Sequence, residues 1–248
     1  MSPGADATST SSTSIPAASE AAAPPVEDLF ALGRRAAAAR DAALGRRGTF
    51  ARSRRLLGSG AWRGPRDASV SYVEAGDLPA LGGWAAAHAA GATVVVGADV
   101  ATLREIAGDG ARLVLRAAFR GGESEDARSG RLRALAACDV PLWGVIPTPE
   151  GEPYGLDTVR FTALCRLALP VGCHVLADVE RLGPRLAQMC LGFGADELLA
   201  PIVGERALRL GDNANNPALT RKEAVTLIRG AGLVPAERLL NDALEEVT

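Results

Sequence analysis

The chain is predicted to fold as an α/β protein, a shortened or incomplete (β/α) TIM-type barrel, on three observations. From Ala68 onward, short apolar runs alternate with segments of helical period, the rhythm of repeating βα units. Several of those runs are apolar without interruption, Val94, Val95 and Val96 most plainly, as strands of a parallel sheet covered on both faces require. Right-handed crossovers in such a chain allow a closed barrel or an open doubly wound sheet. Six strands can be counted, with a seventh near Thr49, and an eight-unit barrel usually needs roughly 200 ordered residues or more, so 248 residues leave a barrel tight.

Taken in order, residues 1–26 are Ser, Thr, Ala and Pro with no basic leader and no sustained apolar run. They are expected to be a disordered tail, having too little apolar surface to offset their ordering entropy. Residues 27–248 are read as one domain. A helix over Val26–Leu44 carries an apolar stripe at Leu29, Leu32, Ala36, Ala39 and Ala43 and stops at Gly45. The Arg- and Gly-rich stretch 46–67 reads as a short strand and a loop. Strands are then expected at 68–73, 93–97, 111–119 and 141–147, with helices at 78–91, 100–108 and 131–138 between them.

The rhythm continues with a helix at 157–169, a strand at 173–179, a helix at 183–194 and a strand at 195–201. In the second of these helices Pro184 sits near the first turn and Gly194 supplies a left-handed stop. Leu186, Met189, Cys190 and Phe193 fall on one face, which should be buried. Thr220 and Glu223 form a capping box for a helix ending at Gly232, and a last helix is expected from Ala236.

Composition bounds the function. Hydrophobic residues make up 48% of the chain, enough for a large core, and the net charge of -2 with a pI near 5.8 gives no footprint for nucleic acid. Four cysteines and no secretory leader point to a reducing cytoplasm, and no run is long and apolar enough to be a membrane span. No nucleophile elbow, phosphate-cradling glycine loop or HExxH motif is present.

The motifs "GPRLAQ", "FGADEL" and "IRGAGLVPAER", occurring in that order after "GVIPTPEGEP", resemble the C-terminal half of the radical-SAM enzymes of the futalosine route to menaquinone. Aminofutalosine synthase is the nearest look, with dehypoxanthine futalosine cyclase and the FO synthases further off. The resemblance covers residues 145–239, and the N-terminal helix is similar as well. It implies a radical-SAM barrel whose cofactors are a [4Fe–4S] cluster and S-adenosylmethionine, the cluster held on a C-x3-C-x2-C loop after the first strand.

Here the chain departs from the family. Residues 49–65 contain no cysteine, and Cys138, Cys165, Cys173 and Cys190 are separated by 26, 7 and 16 residues. No cluster or S-adenosylmethionine is therefore expected, and the chain reads as a pseudoenzyme. Its expected role is to bind a futalosine-type small molecule or to pair with an intact radical-SAM homologue. Two other readings are kept: an enzyme of the same pathway using the retained pocket, with His174 and Asp178 as acid and base, and aminofutalosine synthesis on an unusual cluster.

His174, one of only two histidines, is the natural proton-transfer or hydrogen-bonding group, and aligns with a family histidine; a strand histidine satisfied by a backbone carbonyl is the plain alternative. Asp178 closes the same strand, where barrel enzymes place working groups. Asp196 and Glu197 match the family's paired acids, and Glu205 with Arg206 its E-E-R ending; such acids bind ribose hydroxyls or cap helices. Arg166 would meet a ligand carboxylate or pair with a nearby acid. The Gly121–Glu123 turn corresponds to a family turn for the methionyl amine or is a solvated acidic loop, and His88 reads as an ordinary helix residue.

Overall fold

Asp28 opens the first helix. Its carboxylate accepts a hydrogen bond from the Ala31 amide at 3.0 Å, satisfying one of the donors that a helix start leaves without a partner, so α1 runs Leu29–Leu44 rather than from Val26. The computed structural model describes residues 28–57, 59, 62–63, 70–89, 91–97, 112–138, 140–151, 155–203, 218–239 and 243–247. The expected tail 1–26 and the helix expected at 100–108 lie outside them.

The βα rhythm is observed as β1 (Arg47–Phe50), β2 (Ser53–Leu56), β3 (Trp62–Arg63), β4 (Val70–Glu74), α2 (Gly83–Ala89), β5 (Ala92–Val96) and β6 (Leu113–Phe119). It continues through α3 (Glu125–Ala136), β7 (Leu142–Pro149), α4 (Gly155–Ala168), β8 (His174–Asp178), α5 (Val179–Gly192) and β9 (Glu197–Leu199). The chain closes with β10 (Ile202–Val203), β11 (Leu219–Thr220), α6 (Arg221–Gly230), β12 (Val234–Arg238) and β13 (Leu244–Glu246).

Pro79 and the positive-φ pair Gly82 and Gly83 break the expected helix at 78–91 into 3-10 turns ahead of a short α2. The helix expected at 131–138 begins earlier, because Ser124 caps it by accepting from the Ala127 amide at 3.3 Å and Glu125 and Asp126 sit in its positive first turn. In α5 the backbone kinks at Gly183 (φ 74), so Pro184 starts a second helical segment where its missing amide costs nothing. The buried residues of α5 are Val179, Leu182, Ala187, Cys190 and Leu191; of the expected stripe, Cys190 is buried and Leu186 and Phe193 pack against the core, while Met189 is 46% exposed. Gly194 takes the left-handed conformation expected of it (φ 100).

The main sheet has the order β13-β12-β1-β9-β8-β7-β6-β5-β4-β2-β3, parallel except for β12 with β13 and β2 with β3. Its two arms meet on one run of chain. β1 pairs with β9, and β2, only Ala51 and Arg52 further on, pairs with β4; Ser53 also bridges to Pro201. The sheet is thus a shortened (β/α) barrel in which residues 47–56 supply the first staves.

Strand alternation sorts the apolar residues into two separate clusters. Ala51, Val70, Tyr72, Val95, Val114, Ile146 and Leu176 fill the barrel. Their strand neighbours, such as Val94, Val96, Leu113, Leu115, Val145, Val175 and Ala177, face the helices. This is why runs such as Val94–Val96 are apolar throughout: each successive residue enters a different core.

The chain's end differs most from expectation. Residues 234–238 form β12, not a helix. Their helix-forming residues are overridden by four-residue parallel pairing with β1 and by burial of Arg238, 2% exposed, against Glu197.

Candidate functional site

Parallel strands give the barrel a mouth at each end, and the two are built differently. At the C-terminal mouth, Glu74 ends β4, Arg116 lies on β6 and Asp178 ends β8. The Arg116 guanidinium bridges the two acids, at 2.6 Å to Glu74 and 3.1 Å to Asp178. Burial pulls the guanidinium pKa down, but its hydrogen bonds and charge interactions with Glu74 and Asp178 more than offset this and hold it above its ordinary value. Asp178 also accepts from the Arg181 amide at 3.4 Å, so it caps α5 as well as facing the mouth. Ser53, Tyr72, Glu74, Arg116, Asp178 and Leu199 border an opening of about 30 Å³ there.

Below this opening a polar layer crosses the barrel. Arg238 from β12 donates to both oxygens of Glu197 on β9, at 2.6 and 2.9 Å, and to the Tyr72 hydroxyl at 2.7 Å. Tyr72 and Thr49 donate to the same carboxylate at 3.0 Å each. Burial pushes the Glu197 carboxyl up, but the Arg238 charge and hydrogen bonds outweigh it, with His174 and Tyr72 adding to them, and hold it below the usual range. Burial and the Glu197 charge push the Tyr72 phenol far above its ordinary value. Each Glu197 oxygen thus accepts two donors, and the layer is a buried, hydrogen-bonded partition between the mouths.

The N-terminal mouth gathers Arg166, His174 and Asp196. Asp196 lies at the turn into β9, where its backbone carbonyl accepts from the Thr49 amide at 2.7 Å. Its side chain accepts from the Val175 amide at 2.8 Å, from the Arg166 guanidinium, and from His174 Nδ1 at 2.5 Å. Arg166 reaches from α4 and also donates to the carbonyls of Gly194 and Cys173, at 2.9 and 2.8 Å. Arg40 of α1 donates to the carbonyls of Leu191 and Ala195, so two buried arginines fix the segment that carries Asp196.

The histidine is thus held by a carboxylate rather than by a backbone carbonyl, and Arg166 pairs with an acid. Burial lowers the His174 pKa, but the Asp196 hydrogen bond and charge, with Glu197 behind them, more than offset it and leave it raised. Its ring stacks on Trp143 with centroids 4.4 Å apart, and the Arg238 guanidinium carbon stands 4.5 Å from the Trp143 ring centroid. Together with Leu44, Arg47, Thr49 and Leu244 these residues line a cavity of about 280 Å³.

The structure does not bring His174 and Asp178 together. They occupy opposite ends of β8, four residues or about 13 Å apart at roughly 3.3 Å of rise per residue, with the polar layer between the mouths they face. Glu205 and Arg206 lie outside the described residues, as does the side chain of His88. In the Gly121–Glu123 turn, Glu123, 18% exposed, pairs with Arg131 and accepts from the Arg120 amide. The Tyr72, Glu197 and Arg238 layer was missed as a unit; its one sequence signal is a charge inside an otherwise apolar strand.

The cysteines do not fit an iron–sulfur cluster. Cys165 lies on α4, Cys190 on α5, Cys173 just before β8 and Cys138 just after α3, all buried free thiols among residues that face the helices rather than the barrel. Burial pushes the Cys190 thiol up to about 11 and the Cys173 thiol up to about 12, and raises Cys165 further, as for ordinary core thiols. Among the described residues no group of three His, Cys, Asp or Glu is placed to hold a metal ion, and no helix is long and apolar enough to cross a membrane.

No family model matches the chain. It is 32% identical over 84 residues to aminodeoxyfutalosine synthase of Thermus thermophilus, and 33% identical over 85 residues to 5-amino-6-(D-ribitylamino)uracil--L-tyrosine 4-hydroxyphenyl transferase 1 of Methanosarcina barkeri. Each match spans 34% of this chain and only 23% of the relative. Its fold is similar to the crystal structure of a methylornithine synthase, with a TM-score of 0.51 and 14% identity over 85% of this chain and 91% of that one. Partial sequence matches and a shared barrel fold together support a relationship to the radical-SAM superfamily.

Proposed function

We propose that the chain is a non-radical relative of aminofutalosine synthase that binds a futalosine-type small molecule across the charged rim of its C-terminal mouth, above an opening that itself admits only a water-sized group. One observation carries the reading. Residues 47–56, which open the barrel where the resembled family carries its cluster loop, hold no cysteine, while the four thiols elsewhere are buried among helix-facing residues. The barrel itself is retained, with a charged rim of Glu74, Arg116 and Asp178 on the face where barrel proteins bind ligands. Acids and an arginine at that rim suit the hydroxyls and base edge of a nucleoside. Acid and base catalysis by His174 and Asp178 on one substrate is disfavoured by their separation.

Thermal-shift titration with futalosine and aminodeoxyfutalosine tests this. A ligand at a hundredfold its Kd stabilises by about 2.7 kcal/mol. In a chain of this size that corresponds to a rise of about 5–11 °C in Tm. Arg116→Gln should remove the shift. Co-purification with an intact radical-SAM homologue, and no shift with either compound, would favour the partner-subunit role instead.

A further inference from the structure

We infer that the N-terminal mouth of the barrel is a second binding site, for a small organic carboxylate with a single-ring or similarly compact apolar body. It lies on the far side of the Tyr72, Glu197 and Arg238 layer from the C-terminal mouth, so it stands independently of the reading above.

The argument is one of donors and acceptors. The acids at this mouth are already engaged: Asp196, 3% exposed, accepts from Arg166, His174 and the Val175 amide, and Glu197 accepts four hydrogen bonds from Arg238, Tyr72 and Thr49. Donors remain. His174 turns Nδ1 to Asp196, which leaves Nε2 on the opposite side of a ring that lines the cavity with 24% of its side chain exposed. Arg47 pairs through Nε with Glu246 at 3.1 Å, and among the described residues its Nη groups meet no acceptor. A pocket whose acceptors are spent and whose donors are not selects an anion.

The rest of the wall is apolar. Leu44, Leu244 and the Trp143 ring complete a space of about 280 Å³, at the small end of the roughly 300–1,000 Å³ of small-molecule sites. A cation would meet Arg47 and Arg238 in the same wall, and a neutral ligand would bring no countercharge to them, so charge-assisted bonding favours the carboxylate.

The charge on His174 tunes the site. The groups around it are Asp196 and Glu197 from the turn and strand of β9, Arg166 from α4, Arg238 from β12, Arg47 of β1 across the cavity, and Trp143 of β7, over which Arg112 also lies at 5.4 Å. Asp196 and Glu197 keep the imidazolium favoured against Arg238 and burial. Carboxylate binding is therefore strongest with His174 protonated and weakens as it loses its proton.

Calorimetric titration of the full chain with benzoate, and with benzamide as its neutral counterpart, tests the inference. Benzoate should bind at least tenfold more tightly than benzamide, and above the His174 titration benzoate affinity should fall, by up to about tenfold per pH unit. His174→Gln should weaken benzoate at least tenfold at low pH and abolish the pH slope. Leu244→Trp, a change on the 44% exposed rim, should block binding while leaving the fold intact. Equal binding of benzamide, a pH slope surviving in His174→Gln, unaltered binding in Leu244→Trp, or no benzoate binding at any pH would overturn it. Because neither ligand nor variant touches the C-terminal mouth, failure here is separable from failure of the futalosine titration.

Discussion

Replacing Arg238 by methionine tests whether the polar layer holds the barrel together. Arg238 and Glu197 expose 2% and 1% of their side chains, so the change leaves a buried carboxylate with only Tyr72 and Thr49 as donors. Breaking one side of a buried pair costs about 3–5 kcal/mol. At roughly 2–4 °C per kcal/mol in a chain of this size, Tm should fall by about 6–20 °C. Methionine retains much of the apolar volume against Trp143, so the loss reads charge more than cavity. The sign of the pH dependence follows. In the native protein Glu197 is held below its ordinary pKa, so its contribution is present above the unfolded value and lost as pH falls through the folded one. In the variant burial is opposed only by His174 and Tyr72, so the carboxyl takes up a proton more readily than in the native protein, acid relieves the stranded charge, and the deficit should shrink from pH 8 to pH 5. Urea unfolding should also show the double variant Glu197→Gln/Arg238→Met at least about 2 kcal/mol more stable than the sum of the single losses. A single-variant loss under about 1 kcal/mol, or strict additivity, refutes the reasoning.

Gly194→Ala places a Cβ at φ 100, 3.0 Å from the Cβ atoms of both Ala36 and Arg166, and should destabilise by about 1–3 kcal/mol in urea; a neutral result would mean that the turn carrying Asp196 is not fixed as described. His174 has a raised folded pKa, so its stabilising contribution is complete below the unfolded value of about 6.5 and disappears as pH rises through the folded value. A histidine-carbon NMR titration should place its midpoint above 6.5, and the stability gap between native protein and His174→Gln should close at higher pH; a midpoint at or below 6.5 contradicts the Asp196 pairing.

What the sequence revealed depended on how local the information was. Strand alternation at Val94–Val96, the stop at Gly194 and the Thr220–Glu223 capping box, with its amide-to-Glu223 hydrogen bond of 2.8 Å, are set within a few residues and are legible directly. The separation of His174 from Asp178 was also legible, since four residues of strand fix the distance whatever the fold. The conversion of residues 234–238 from helix to strand was not. Ala236, Glu237 and Arg238 favour a helix locally, and only pairing with β1 across nearly two hundred residues of chain overrules them. The same holds for the polar layer, in which Tyr72, Glu197 and Arg238 come from three distant strands. Met189 fits a helical stripe by spacing but lies at the edge of the buried face, 46% exposed beside the buried Cys190.

The central claim is that this barrel lacks the sulfur donors for radical chemistry. Anaerobic reconstitution with iron and sulfide, followed by iron quantitation and electron paramagnetic resonance after reduction, tests it most directly. The expected result is no bound cluster and no signal, with all four thiols still titrating under denaturant. About four irons per chain, with reductive cleavage of S-adenosylmethionine, would contradict it.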